Sequence, residues 1–140
     1  MKLTRRYRFA ASHRLHTPQL TDEENRRIYG KCNNPYGHGH DYVLEVTVRG
    51  EVDGRTGRIV DRARLDDLVR CHVLLDFDHR NMNTQIPAFA DKAPTTENVA
   101  VEIERRLRRD WADVFPEGTP RLDRIRLHET RKNIIELVSD

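Results

Sequence analysis

The chain is poor in cysteine, in aromatic residues and in long apolar runs. Two cysteines, Cys32 and Cys71, stand among 140 residues, which excludes a scaffold stapled by disulfides. No window approaches the roughly 18 consecutive apolar residues of a membrane-spanning helix. The stretch from Met1 to Phe9 also lacks the apolar core of a signal peptide. A cytoplasmic protein with no membrane partner is therefore expected. Neither charge dominates: 25 Lys and Arg against 23 Asp and Glu leave a formal +2, too even to argue for nucleic acid. The runs Arg105-Arg106 and Arg108-Arg109 lie among acids and read as the solvated face of a helix. Repeats and low-complexity linkers are missing as well, so residues 1–140 are expected to form a single domain. With 36% apolar and 34% charged residues, its core should be thin, with some surface buried against copies of the same chain.

What is present alternates strongly. Leu3, Tyr7, Phe9, Ala11 and His13 share one parity, with Arg5 the exception, and predict a first strand over 3–13. Thr21-Asp22-Glu23-Glu24 forms a capping box for a short helix ending near Gly30. A second strand is expected over 38–50, with His38 and His40 on the parity of Tyr42, Leu44, Val46 and Val48. Asp61 caps a helix carrying Leu65, Leu68, Val69, His72 and Val73 on one stripe. Cys71 in that run reads as an inert core residue. Residues 77–94 read as mostly irregular. Pro94-Thr95-Thr96-Glu97 opens a longer helix with Val99, Ile103 and Leu107 inward. Two strands close the chain, over 121–129 and 133–138. The order strand, strand, helix, helix, strand, strand predicts an α+β domain. It should hold a four-stranded antiparallel sheet with two helices on one face. The open face and edges would invite pairing with other chains, which a barrel closed by several subunits would satisfy.

The chemistry concentrates between Cys32 and His40. In an extended strand the imidazoles of His38 and His40 point the same way. Antiparallel pairing of the first two strands would bring His13 beside them. Three nitrogen donors with an open position match catalytic zinc better than structural zinc, which takes four protein ligands. Imidazole also suits iron, copper or nickel. His16 competes with His13 as third ligand. Cys32 can be a fourth ligand, a base, a nucleophile or an inert thiol, and a nearby cation would favour its thiolate. Asp78-His79 supplies the carboxylate and imidazole types of a proton relay. Glu129 can accept two parallel N–H bonds from a heterocycle, or be a solvated charge. Thr95, Thr96 and Glu97 also fit ordinary helix-opening chemistry.

Five segments together resemble the 6-pyruvoyl-tetrahydropterin synthase family: 9–15 (Phe-Ala-Ala-Ser-His-Arg-Leu), 30–40 (Gly-Lys-Cys-Asn-Asn-Pro-Tyr-Gly-His-Gly-His), 78–81 (Asp-His-Arg-Asn), 95–100 (Thr-Thr-Glu-Asn-Val-Ala) and 128–130 (His-Glu-Thr). The gap between Cys32 and His38 is similar to that of the pyruvoyl-forming branch; relatives that make 6-carboxy-tetrahydropterin for queuosine typically have a shorter one. The resemblance implies the tunnelling fold, in which trimers close a twelve-stranded barrel and stack in pairs as a homohexamer. It implies conversion of 7,8-dihydroneopterin triphosphate into 6-pyruvoyl-tetrahydropterin plus triphosphate, a lyase step of tetrahydrobiopterin-type biosynthesis needing no external redox cofactor. His13, His38 and His40 would hold one Zn2+ per subunit. Cys32 would be the base, and Asp78 and His79 would complete the relay. Glu129 would anchor the pterin, and Thr95, Thr96 and Glu97 would line its pocket from a neighbouring subunit. The triphosphate would also attract Mg2+. Against the family pattern, Arg131-Lys132 replace Asp-Asn, Asp41 replaces Asn and Phe77 replaces Leu. The rivals are the 6-carboxy-forming lyase and, in a different class, a non-catalytic metal- or pterin-binding module.

Overall fold

In the computed structural model, which describes residues 1–139, the two long strands β1 (Lys2–His13) and β2 (His38–Arg49) run antiparallel over their whole length. Alternation fixes their faces. Phe9, Ala11, Tyr42, Leu44, Val46 and Val48 are all buried on one side. Between the strands lie α1 (Asp22–Tyr29) and a 3₁₀ turn (Gly30–Asn33) that carries Cys32. The capping box at α1 is formed as expected, with Glu24 N–H donating to Thr21 Oγ1 and Thr21 N–H to the Glu24 carboxylate.

Asp61 caps α2 (Arg62–Val69), which runs through a wide π turn (Arg70–Leu74) into α3 (Leu75–Phe77). Leu65, Leu68, Val69 and Val73 join one core with Val99, Ala100, Ile103 and Leu107 of α5 (Thr96–Val114) and with the apolar side of the sheet. Cys71 is exposed, contrary to its reading as a core residue. Six residues beyond Leu65, at about 100° per residue, it falls on the far side of the helix.

The sheet has five strands, in the order β3-β1-β2-β4-β5, with β4 (Arg121–His128) and β5 (Ile134–Val138) antiparallel to their neighbours. It is mixed, not the four-stranded antiparallel sheet expected. The extra strand, β3 (Arg80–Asn81), lies parallel to Ala11 and Ser12 of β1. Two residues are too few to show alternation, so only the fold reveals them. Next to β3 the stretch read as irregular forms α4 (Met82–Gln85) and a 3₁₀ turn (Pro87–Phe89), which bury Met82, Ile86 and Phe89.

The opposite face of the sheet is polar. Arg6 Nε donates to Glu45 Oε2 at 2.8 Å, and Thr4 and Thr47 hydroxyls pair at 2.7 Å. Arg126 and His128 also approach Glu45, at 3.5 and 3.3 Å. Among the described residues no helix is long and apolar enough to cross a membrane.

Candidate metal and pterin site

The register of β1 and β2 places His13 opposite His38 and Ala11 opposite His40. All three imidazoles therefore gather at one end of the sheet, on the face that carries the core. Gly37, at φ 81, is what allows this approach: a Cβ there would sit 3.2 Å from the His13 carbonyl oxygen. Gly39 has no such role, since its Cβ would meet only ordinary contact at 3.9 Å. The ring centroids of His38 and His40 lie 4.4 Å apart, and those of His13 and His40 4.9 Å.

His13 is fully buried, and its Nδ1 lies 2.9 Å from the Pro94 carbonyl oxygen. A carbonyl only accepts, so Nδ1 carries the proton and Nε2 the lone pair. That lone pair faces His40 Nε2 at 3.1 Å. The two nitrogens can share one proton or one cation. Burial pushes both imidazoles below their ordinary pKa, toward the neutral form that ligates metals. A backbone acceptor on the remote nitrogen is the usual way of orienting a ligating histidine. The residues therefore fit a metal ion. The tightest set of donor atoms is His13, Cys32 and His40, all within 4.8 Å of one another. His38 stands beside this set, its ring edge-on to His40.

Cys32 is held by backbone contacts. Leu15 N–H donates to the Cys32 carbonyl at 2.7 Å, and buried Asn33 donates from Nδ2 to the Leu15 carbonyl at 2.8 Å. Burial, followed by the negative charge of Glu129, pushes the Cys32 thiol up. A cation at the histidines would act in the opposite direction.

Glu129 is buried at the end of β4, 3.9 Å from His40 Nε2. Thr96 Oγ1 donates to its Oε2 at 2.6 Å, and Asn133 Nδ2 reaches its Oε1 at 3.4 Å. Thr96 thus bonds to the Glu129 of its own chain. Thr95 caps α5 by accepting from Asn98 N–H, and Glu97 is exposed on the first turn.

Asp78 and His79 lie elsewhere. They hang on the edge of β1 away from β2. Ala10 N–H donates to Asp78 Oδ1 at 2.8 Å, and His79 N–H donates to the Ala10 carbonyl at 2.6 Å. The Ala10 amide holds the Asp78 carboxyl below the usual carboxylate range, with His79 adding to it. His79 Nδ1 is 3.1 Å from Asp78 Oδ2, and the His79 side chain is 82% exposed. His79 also adopts φ 60, a left-handed conformation uncommon outside glycine. Neither side chain is hydrogen-bonded to Cys32 or to the histidine cluster among the described residues. His16 is not in the cluster either; its Nδ1 lies 3.1 Å from Asn33 Nδ2.

Three participants were not anticipated. Tyr42, fully buried and stacked on Phe9 at 5.0 Å, brings its hydroxyl 3.5 Å from His13 Nδ1. Its parity with His40 was a usable signal. Pro94 acts through its carbonyl across 81 residues of chain, which no local pattern encodes. Asn133 is placed by the turn in which Thr130 Oγ1 accepts its N–H.

Comparison with known proteins identifies the family. The family model described as 6-pyruvoyl tetrahydropterin synthase matches residues 2–139. A 6-pyruvoyl tetrahydrobiopterin synthase of Poecilia reticulata is 46% identical over 133 residues, covering 95% of this chain and 86% of the relative. The Homo sapiens protein of the same name is 43% identical over 134 residues, covering 96% and 88%. The solved structure of Caenorhabditis elegans 6-pyruvoyl tetrahydropterin synthase superposes with a TM-score of 0.89 at 36% identity, covering 100% of this chain and 96% of the other. The chain belongs to the 6-pyruvoyl tetrahydropterin synthase family, as a lyase of the 6-pyruvoyl-tetrahydropterin synthase type.

Proposed function

We propose that the chain converts 7,8-dihydroneopterin triphosphate into 6-pyruvoyl-tetrahydropterin and triphosphate, with His13, His38 and His40 holding Zn2+ and Cys32 acting as base. The observation that carries this reading is the buried His13–His40 pair with the Cys32 sulfur within ligand distance of both. Zinc bound there would polarise the hydroxyls of the pterin side chain as a Lewis acid. Cys32 removes the side-chain proton next to those hydroxyls. Glu129, its Oε2 already bonded to Thr96, receives the pterin amino group and ring N–H. Thr95 and Thr96 build the pocket wall at the head of α5. No external electron carrier is required, because side chain and ring exchange oxidation state internally.

Asp78 and His79 complete the relay across a subunit boundary. Their place on a sheet edge, with His79 exposed and neither side chain hydrogen-bonded to Cys32 of their own chain, supports a second copy bringing them to its site. Glu97, exposed beside them in role, reaches a neighbour's pocket in the same way. The four longer strands, three copies over, make a twelve-stranded barrel with the polar sheet face inward, and two such trimers form a homohexamer. Cytoplasmic residence fits this assembly. Mg2+ accompanies the triphosphate.

The test is incubation of the purified chain with dihydroneopterin triphosphate, identification of the product by mass, and elemental analysis of the same sample. The pyruvoyl product with about one zinc per chain is expected. A 6-carboxy product would move the chain to the queuosine-type reaction, and binding without turnover would make it a pterin-binding module.

A further inference from the structure

Eleven of the 21 arginines have a carboxylate oxygen within 4.0 Å among the described residues. Arg5 is paired with Asp66, Arg6 with Glu45, Arg106 with Asp76 and Glu102, and Arg124 with Asp123 and Glu136. Unpaired arginines line two cavities: Arg49, Arg58, Arg62 and Arg121 share theirs with Glu51, Asp53, Asp61 and Glu117, whereas the second holds a single acid. Arg14, Arg26 and Lys31 surround a cavity of about 590 Å3 that also admits His16 and His38. None of the three cations has a carboxylate oxygen within 4.0 Å among the described residues. The single acid of the cavity, Asp22, stands one helical turn before Arg26 without pairing to it.

The cavity is shaped by the same buried residue that seats Cys32. Asn33 donates from Nδ2 to the Leu15 carbonyl and to His16 Nδ1, at 2.8 and 3.1 Å. His16 therefore keeps its proton on Nε2, as a donor. The Asn33 carbonyl accepts from Arg14 Nε at 3.2 Å, which steers that guanidinium and leaves its two terminal nitrogens free. Two free guanidiniums, an ammonium and an imidazole N–H in one pocket favour an oligoanion, because planar forks and ammonium groups match phosphate oxygens. His38 belongs both to this cavity and to the histidine cluster.

We propose that the cavity of Arg14, His16, Arg26 and Lys31 is the subsite for the substrate's leaving oligophosphate. This rests on the lyase reading above, in which the hydroxyls between pterin and phosphates sit at the histidines. The phosphates must then emerge beside His38, where the cavity begins. When the base removes the C–H proton, that electron pair forms the new C=C bond. The C–O bond to the triphosphate breaks, and its pair departs on the phosphate oxygen. The unpaired cations stabilise the charge that develops there.

The test titrates inorganic tripolyphosphate into the full chain and into an Arg26→Gln/Lys31→Gln variant of equal metal content, both positions being exposed. Two lost charged contacts should weaken binding by about tenfold or more. The salt dependence should become shallower, and KM for the pterin triphosphate should rise in parallel. Affinity for unphosphorylated dihydroneopterin should stay unchanged. Binding by the variant within about twofold of wild type overturns the subsite. An Arg58→Gln/Arg62→Gln control, in the groove at the opposite end of β2, should bind as wild type does. An equal loss in that control reduces the effect to net charge and also overturns the subsite. Failure of the wild type to turn over the pterin triphosphate removes the lyase reading alone. The tripolyphosphate titration then decides the cavity by the same criteria.

Discussion

Two clusters of polar side chains flank the C-terminal half of β1, and they differ in completeness. On its inner face His13 meets His40, with Cys32 and Glu129 beside them, all buried or half-buried. On its outer edge Asp78 and His79 are tied to the Ala10 and Leu74 backbone and to each other, and His79 stands in solvent. The inner cluster is a group that could hold a metal ion within one chain. The outer cluster is an acid–base pair of residue types, His79 in a left-handed conformation, with no hydrogen bond to the histidine cluster among the described residues. Strain retained at an exposed position points to use elsewhere. Under the proposed function, one chain would hold the metal and the pterin, and proton transfer would need two.

The sharpest way to break this contrast is His40→Ala. It should empty the metal site and reduce turnover by roughly a thousandfold or more, in the range that electrostatic catalysis supplies. Full metal content by elemental analysis would refute the assignment. His38→Ala is the finer version: metal loss there, with Cys32→Ala retaining metal, establishes that His38 and not Cys32 is the third ligand.

Cys32→Ala and His79→Ala should each cost about 10²–10⁴ in kcat, as loss of an acid or base does, while sparing metal and pterin affinity. Mixed in one refolded assembly, the two inactive variants should recover about a quarter of wild-type activity, since a shared site is intact when each chain supplies its good half. No recovery would return the relay to a single chain.

Glu129→Ala should weaken pterin binding by roughly 10–100-fold, the size of a charged hydrogen bond, and leave zinc in place. Unchanged affinity would put the pterin anchor elsewhere.

The smallest effect concerns the tie that holds β1 against the helices. Burial raises the Asp66 carboxyl, but hydrogen bonds from Arg5 and Tyr7 outweigh it and leave the carboxyl below its ordinary value. A depressed pKa gives stability that is present above the unfolded value, about 3.9, and is lost as pH falls through the folded one. Asp66→Asn should therefore lower the melting temperature more at pH 7 than at pH 3. The pair is part-exposed, so about 1 kcal/mol is an upper bound. Metal content and turnover should not move. Equal melting shifts at both pH values would show a packing effect instead.

Sequence alone determined which residue types are available for the chemistry and most of the elements that bear them. Period-two alternation and caps are local, so β1, β2, α2, α5 and the His-Gly-His ligand pair were legible. The pairing that brings His13 to His38 followed from parity and a single assumption about strand direction. Tertiary structure decided what depends on contacts distant in sequence. Pro94 fixes the His13 tautomer, Thr96 bonds to the Glu129 of its own chain, and Asp78-His79 creates a two-residue strand by seizing Ala10. A backbone carbonyl has no identity in sequence, and a side chain's neighbours are set by how the helices close over the sheet. Residue types name the possible reaction; only the packed fold sets which of them face one another in one chain.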